Sequence, residues 1–157
     1  MKHPIAVLLH NIRSAHNVGA IFRTADAAGV SKMYLSGYTP MPVDRFGRAQ
    51  KEIAKTALGA ENFIPWEYVK MPATITKARR SEGFHIVGVE QDKRARDYRA
   101  FHPERPTLLI FGNEVRGLSS QLCSQCDDLI HIPMFGKKES LNVATTAGII
   151  LFQTISH

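Results

Sequence analysis

The 157-residue chain is short of the features that mark several protein classes. It has only two cysteines, Cys123 and Cys126. That is too few for a disulfide scaffold, and no nearby cluster offers the two further ligands a zinc site needs. The pair reads as two small, half-buried residues on one helical face. No apolar run approaches the ~20 residues that span a bilayer. The opening "MKHPIAVLLHN" has too short an apolar stretch for a signal peptide and no small-residue cleavage site. A cytoplasmic protein with no membrane contact is the expectation. GxGxxG and GxxxxGK[ST] are both missing, so dinucleotide and P-loop readings lack their fingerprints. Acidic residues are the scarcer charge, 14 against 20 basic, and the net +6 favours a polyanionic partner.

What is present fits one globular domain spanning residues 1–157. The apolar share of 44% and charged share of 22% are ordinary for such a domain and leave room for a substantial core. Apolar runs alternate with helical patterns. Ile5–His10, Lys32–Gly37, Phe84–Glu90, Thr107–Asn113 and Asp128–Met134 read as strands, and a helix is expected from about Asn17 to Ala28. Continuous apolar strands between helices predict an α/β fold, with a mostly parallel sheet covered by helices on both faces. Tyr38 to Arg48, rich in Pro and Gly, reads as a mobile loop. Basic residues gather in Lys77 to Arg80, Asp92 to Arg99 and Asp44 to Arg48, runs that serve either as solvated faces or as nucleic-acid contacts.

Three segments invite a chemical reading. In "NIRSAHNVGAIFRTADAAGV", Val18, Ile21, Phe22 and Ala25 form an apolar stripe, and Arg23 points away from it. In "LLIFGNEVRGLS", a buried strand gives way to a polar turn with two glycines. Open parallel sheets bind ligands at such strand ends, where glycines let a ligand approach the backbone. In "IPMFGKKESLNVATTAGIILFQ", Ser140 suits an N-cap. The helix beyond it is apolar nearly all round, so it needs cover on more than one side, from its own core or from a partner subunit.

Together these segments resemble the SPOUT superfamily of methyltransferases, in its TrmH (SpoU) branch. Asn17, Gly19 and Arg23 match the first motif, with Asn11 and Arg13 upstream. Gly112, Asn113, Glu114, Gly117 and Leu118 match the second. Ile132, Pro133, Met134, Gly136, Ser140, Leu141, Asn142 and Val143 match the third. Three motifs in order across almost the whole chain are specific where each alone is weak. The match implies a bare catalytic domain, without the N-terminal RNA-binding extension that many relatives carry.

The resemblance implies a C-terminal trefoil knot, which pattern reasoning would not propose because knots are nearly absent from proteins. It implies S-adenosylmethionine held by backbone groups near Gly112, Ile132, Ser140 and Leu141, with Glu90 at a neighbouring strand end. It further implies a homodimer and methyl transfer to a ribose 2′-hydroxyl of tRNA or rRNA. Arg23 would act as the cation that stabilises developing alkoxide, since an arginine stays protonated in proteins. Asn17, Glu114, Ser140 and Asn142 would position the groups around it. Arg13, Lys93, Arg94 and Arg96 would hold the RNA backbone. Two alternatives stay open: an RNA-binding knot protein without catalysis, against which the intact Arg23, Glu114, Ser140 and Asn142 argue, and a SPOUT methyltransferase acting on an RNA base.

Overall fold

The computed structural model describes residues 2–156. Seven strands form one sheet: β1 (Ile5–His10), β2 (Lys32–Ser36), β3 (Trp66–Val69), β4 (His85–Val89), β5 (Arg96–Asp97), β6 (Thr107–Phe111) and β7 (Asp128–His131). Their spatial order is β3-β2-β1-β6-β4-β7-β5. Every pairing is parallel. All the carboxyl ends therefore share one edge, where two cavities open.

The strands carry apolar residues without alternation because both faces are covered. Ile5, Val7 and Leu9 of β1 face one apolar cluster and Ala6 and Leu8 the other. The first cluster is closed by α1 (Ala15–Ala27), α2 (Lys51–Ala57) and α5 (Val143–Ile155). The second is closed by α3 (Pro72–Ser81) and the short α4 (Ser120–Ser124). Among the described residues no helix is long and apolar enough to cross a membrane.

Helix α1 begins two residues before its expected start. The Ser14 hydroxyl accepts from the Asn17 N–H at 3.1 Å and caps it. Its stripe of Val18, Ile21, Phe22 and Ala25 is buried as the pattern predicts, and Arg23 is exposed. Gly19 lies under α2: a Cβ there would sit 2.0 Å from Thr56 Oγ1 and 2.4 Å from the Ile53 carbonyl oxygen. This motif glycine thus lets two helices touch.

Four expected strands end early. The last, expected to Met134, stops at His131, ahead of Pro133, which has no N–H to give a ladder. The cap of α5 is Asn142, not Ser140: its Oδ1 accepts from the Ala144 and Thr145 N–H groups at 2.8 and 3.4 Å. Cys123 lies on α4 and Cys126 beyond its end, so they share an apolar cluster but not a helix. Burial first, then the nearby Cys123 thiol and Asp127, push the Cys126 thiol up to about 12, which disfavours the thiolate at neutral pH.

Among the described residues, α5 is covered chiefly on one face. Val143, Ala147, Ile150, Leu151 and Thr154 are buried, while Phe152 on the other side is 46% exposed.

Candidate active site

Where β6 ends at Phe111, the chain folds back on itself. The Gly117 N–H donates to the Asn113 carbonyl at 2.9 Å, and Asn113 Oδ1 accepts from the Val115 and Arg116 N–H groups at 2.9 and 2.8 Å. The return favours glycine at 112, and the left-handed backbone favours it at 117. A Cβ on Gly112 would lie 2.7 Å from the Gly117 carbonyl carbon. Gly117 has φ +66°, and a Cβ on it would lie 2.0 Å from Glu90 Oε2. Gly112 is crowded by the loop's own return.

Glu114, at the tip, is bonded across the sequence to the start of α1. Its Oε1 accepts from the Arg13 N–H at 2.9 Å. Its Oε2 accepts from the Ser14 N–H at 3.0 Å and from Asn17 Nδ2 at 3.3 Å. Burial alone would raise this carboxyl. The N–H groups of Arg13, of Glu114 itself and of Ser14, with the Asn17 amide, outweigh burial and hold it below its ordinary value. A carboxylate at a helix N-terminus is also favoured by the helix dipole. Asn17 Oδ1 in turn accepts from Asn142 Nδ2 at 3.2 Å. Glu114, Asn17 and Asn142 therefore form one relay that joins β6, α1 and α5.

Beside the relay opens a cleft of about 300 Å³ at the carboxyl ends of β4, β6 and β7. Its walls include Glu90, Gly112, Glu114, Ile132, Ser140 and Leu141. All four residues expected at the cofactor besides Ser140 are thus brought together with it. Glu90 Oε2 accepts from the Leu118 N–H at 2.6 Å and fixes the glycine loop to β4. Val115 on the cleft wall is 92% exposed, and Phe135, which follows the wall residue Met134, is 88% exposed.

Arg23 stands apart. It lies six residues beyond Asn17 on α1, about 9 Å along the axis and well round the helix. There it lines a separate shallow depression with Lys55, Leu58 and Phe152.

The expected RNA contacts are scattered. Arg13 is exposed beside the relay. Arg94 pairs with Asp92 at 3.0 Å and Arg96 with Asp128 at 3.1 Å, so their charge is partly matched within the chain. Lys93 is exposed and belongs to none of the ion pairs of the described residues. The Arg94 guanidinium holds the Asp92 carboxyl down at about 2.

Two participants were not singled out as site residues. Gln91 Nε2 donates to the Ile132 carbonyl at 2.7 Å across the cleft, and no sequence signal marks it. Asn113 Nδ2 donates to the Asn11 carbonyl and to the Tyr38 hydroxyl at 3.0 and 2.9 Å. Its position between a buried strand and a glycine turn was a usable signal.

Known proteins resemble this chain in sequence and fold. Residues 4–152 match the SpoU rRNA Methylase family. The chain is 32% identical over 151 residues to the 23S rRNA (guanosine-2′-O-)-methyltransferase RlmB of Neisseria meningitidis, covering 96% of this chain and 58% of that protein. It is 33% identical over 149 residues to the tRNA (guanosine(18)-2′-O)-methyltransferase of Aquifex aeolicus, covering 95% and 67%. The crystal structure of an AdoMet-bound rRNA methyltransferase from Sinorhizobium meliloti superposes with a TM-score of 0.87 at 32% identity, over 98% of this chain and 56% of that one. The chain thus spans between about half and two thirds of the length of these proteins.

Proposed function

The chain belongs to the SpoU rRNA Methylase family, and on that premise we propose that it transfers a methyl group from S-adenosylmethionine to a ribose 2′-hydroxyl of RNA. The observation that carries this reading is the cleft itself. It lies at parallel strand ends, is walled by a glycine loop, and is flanked by the Glu114–Asn17–Asn142 relay. Both relatives described above are named as ribose 2′-O-methyltransferases, one of tRNA and one of rRNA, so either RNA is a fitting substrate.

The cleft suits this cofactor. Apolar Ile132 and Leu141, backbone groups beside Gly112, and the carboxylate of Glu90 can receive a ligand with an apolar body, hydrogen-bonding edges and a positive centre. When bound there, S-adenosylmethionine supplies an electrophilic methyl group on its sulfonium. The protein then has to position the hydroxyl and stabilise its developing charge. Glu114 and Asn142 hold the ends of α1 and α5 at the cleft mouth through Asn17. Ser140 lies on the cleft wall, where its hydroxyl can bind ribose or cofactor. Arg23 is the cation assigned to the developing alkoxide, and Arg13 to the RNA backbone.

Arg23 lies outside its own chain's cleft, and a homodimer accounts for this. The exposed side of α5 at Phe152, together with Leu58 and Arg23, forms one apolar surface with a cation in it. Pairing of two copies would cover that surface and offer Arg23 to the partner's cleft. The trefoil knot belongs to the same reading: three segments near residues 90, 112–117 and 131–143 close around one cleft.

Arg23→Ala tests the assignment. Transfer to RNA is expected to fall at least about a hundredfold, as for loss of a main charge-stabilising donor, with S-adenosylmethionine affinity within about twofold of wild type. Loss of cofactor affinity instead would refute the role given to Arg23.

A further inference from the structure

A second cavity, of about 430 Å³, opens on the same edge of the sheet, at the carboxyl ends of β1, β2 and β3. Nothing in the proposed reaction uses it. Its lining combines Tyr38, Tyr68 and Met71 with Lys70, Gln121 and Gln125. The three large side chains are 57%, 37% and 59% exposed, so apolar and aromatic surface is left open to solvent.

The two tyrosines are fixed by their hydroxyls. Tyr68 donates to the Gly37 carbonyl at 2.7 Å, and Tyr38 accepts from Asn113 Nδ2 at 2.9 Å. The backbone beneath Tyr38 is built for the purpose. Asn11, a non-glycine residue at φ 56°, accepts from the Tyr38 N–H through Oδ1 at 3.0 Å. Gly37 is forced to be glycine, because its Cβ would fall 1.8 Å from that same oxygen. Backbone held in this region marks a site whose geometry is over-determined by its surroundings.

Asn113 joins the two cavities. It lines the main cleft, while its amide holds Asn11 and Tyr38 in the wall of the second. Both cavities open at carboxyl ends of parallel strands on one edge of the sheet, so one RNA strand can reach both.

Resting on the RNA reading above, we propose that the second cavity receives an unpaired nucleobase adjoining the methylated ribose. Aromatic and thioether surface would stack on the base, as in sites that hold single-stranded nucleic acid. The Gln121 carboxamide can both donate to and accept from a base edge, and Gln125, whose Oε1 accepts from the Thr76 hydroxyl at 3.0 Å, can offer its amide N–H groups. The Lys70 ammonium, which takes part in no ion pair of the described residues, is placed for the phosphate. This cavity would then set which sequence around the target nucleotide is accepted.

The test uses the full chain with its main cleft filled by S-adenosylhomocysteine, titrated with uridine and guanosine 5′-monophosphates and followed by amide NMR. Shifts are expected at Tyr68, Met71 and Gln121, weakened about tenfold by either Tyr68→Ala or Gln121→Ala. Gln121 is exposed, so its variant keeps the fold if Tyr68→Ala does not. The same variants should raise KM for RNA about tenfold while leaving kcat and S-adenosylmethionine affinity unchanged. If neither nucleotide shifts these residues, or if wild type methylates RNA and both variants match its KM, the subsite is wrong and the reaction stands. If nucleotides bind here but no RNA is methylated, the subsite stands and the reaction assigned above fails.

Discussion

From Gly112 to Leu118, one wall of the main cleft is hydrogen-bonded at almost every residue, to β4, to α1 and to itself. Across residues 135–141, another wall makes no hydrogen bond or ion pair among the described residues. The glycines repeat the contrast: a side chain on Gly117 would strike Glu90, and one on Gly136 would meet nothing within 4 Å. One wall is preorganised, and the other is free to gain its contacts from a ligand. Preorganisation cuts the ordering cost of binding, while an unanchored segment can close over what is bound.

Gly117→Ala should break the built wall. A left-handed alanine costs about 1–2 kcal/mol, and displacing Glu90 adds to it. A total near 3 kcal/mol would lower Tm by about 6–12 °C, measurable by calorimetry. An unchanged Tm would mean that the loop is not held as described.

Glu114→Gln should cost about 1 kcal/mol at neutral pH, after discounting charge-assisted bonds for solvent screening. The Glu114 carboxyl is held below its ordinary 4.5. Its contribution is therefore fully present above that value and is lost as pH falls through the lower, folded-state value. Wild type and variant should converge in stability in acid, and a gap that persists there would assign the loss to packing rather than charge.

The open wall makes the opposite prediction. Gly136→Ala should change stability by less than about 0.5 kcal/mol. Amide exchange across residues 135–141 should slow about tenfold or more when S-adenosylhomocysteine is added, with little change at 112–118. Equal protection of both walls before ligand would erase the distinction.

The smallest effect concerns the basic run. Arg94, Arg96 and Arg99 are matched by Asp92, Asp128 and Asp97, which leaves Lys93 as the most available charge. Lys93→Glu should weaken RNA binding a few-fold and reduce the salt slope by about one. An unchanged slope would make the run an ordinary solvated face.

The layered fold was legible because burial on both faces leaves a plain trace, the unbroken apolar runs of β1 and β6. The four-residue β3 left none: at the sheet edge, its exposed Glu67 and Tyr68 interrupt the pattern. In the site, strand ends and glycines pointed to the glycine loop, and the motif resemblance named its residues. The contacts that organise them join positions about 100 residues apart, such as Glu114 with Arg13 and Ser14, and local spacing carries no record of these. Choosing Ser140 over Asn142 as the cap failed for a related reason. Both side chains suit the position, and the Asn142 bond to Asn17 that accompanies the cap comes from another helix. Arg23 was rightly placed off the apolar stripe, yet its separation from the cleft follows only from where α1 sits.

The most direct test of the proposed chemistry is to incubate the protein with methyl-labelled S-adenosylmethionine and separate tRNA and rRNA pools, then identify the labelled nucleosides by mass spectrometry. A 2′-O-methylated nucleoside from one pool is the predicted result and would name the substrate class. A label on a base, or none in either pool despite cofactor binding, would contradict ribose methylation by this site.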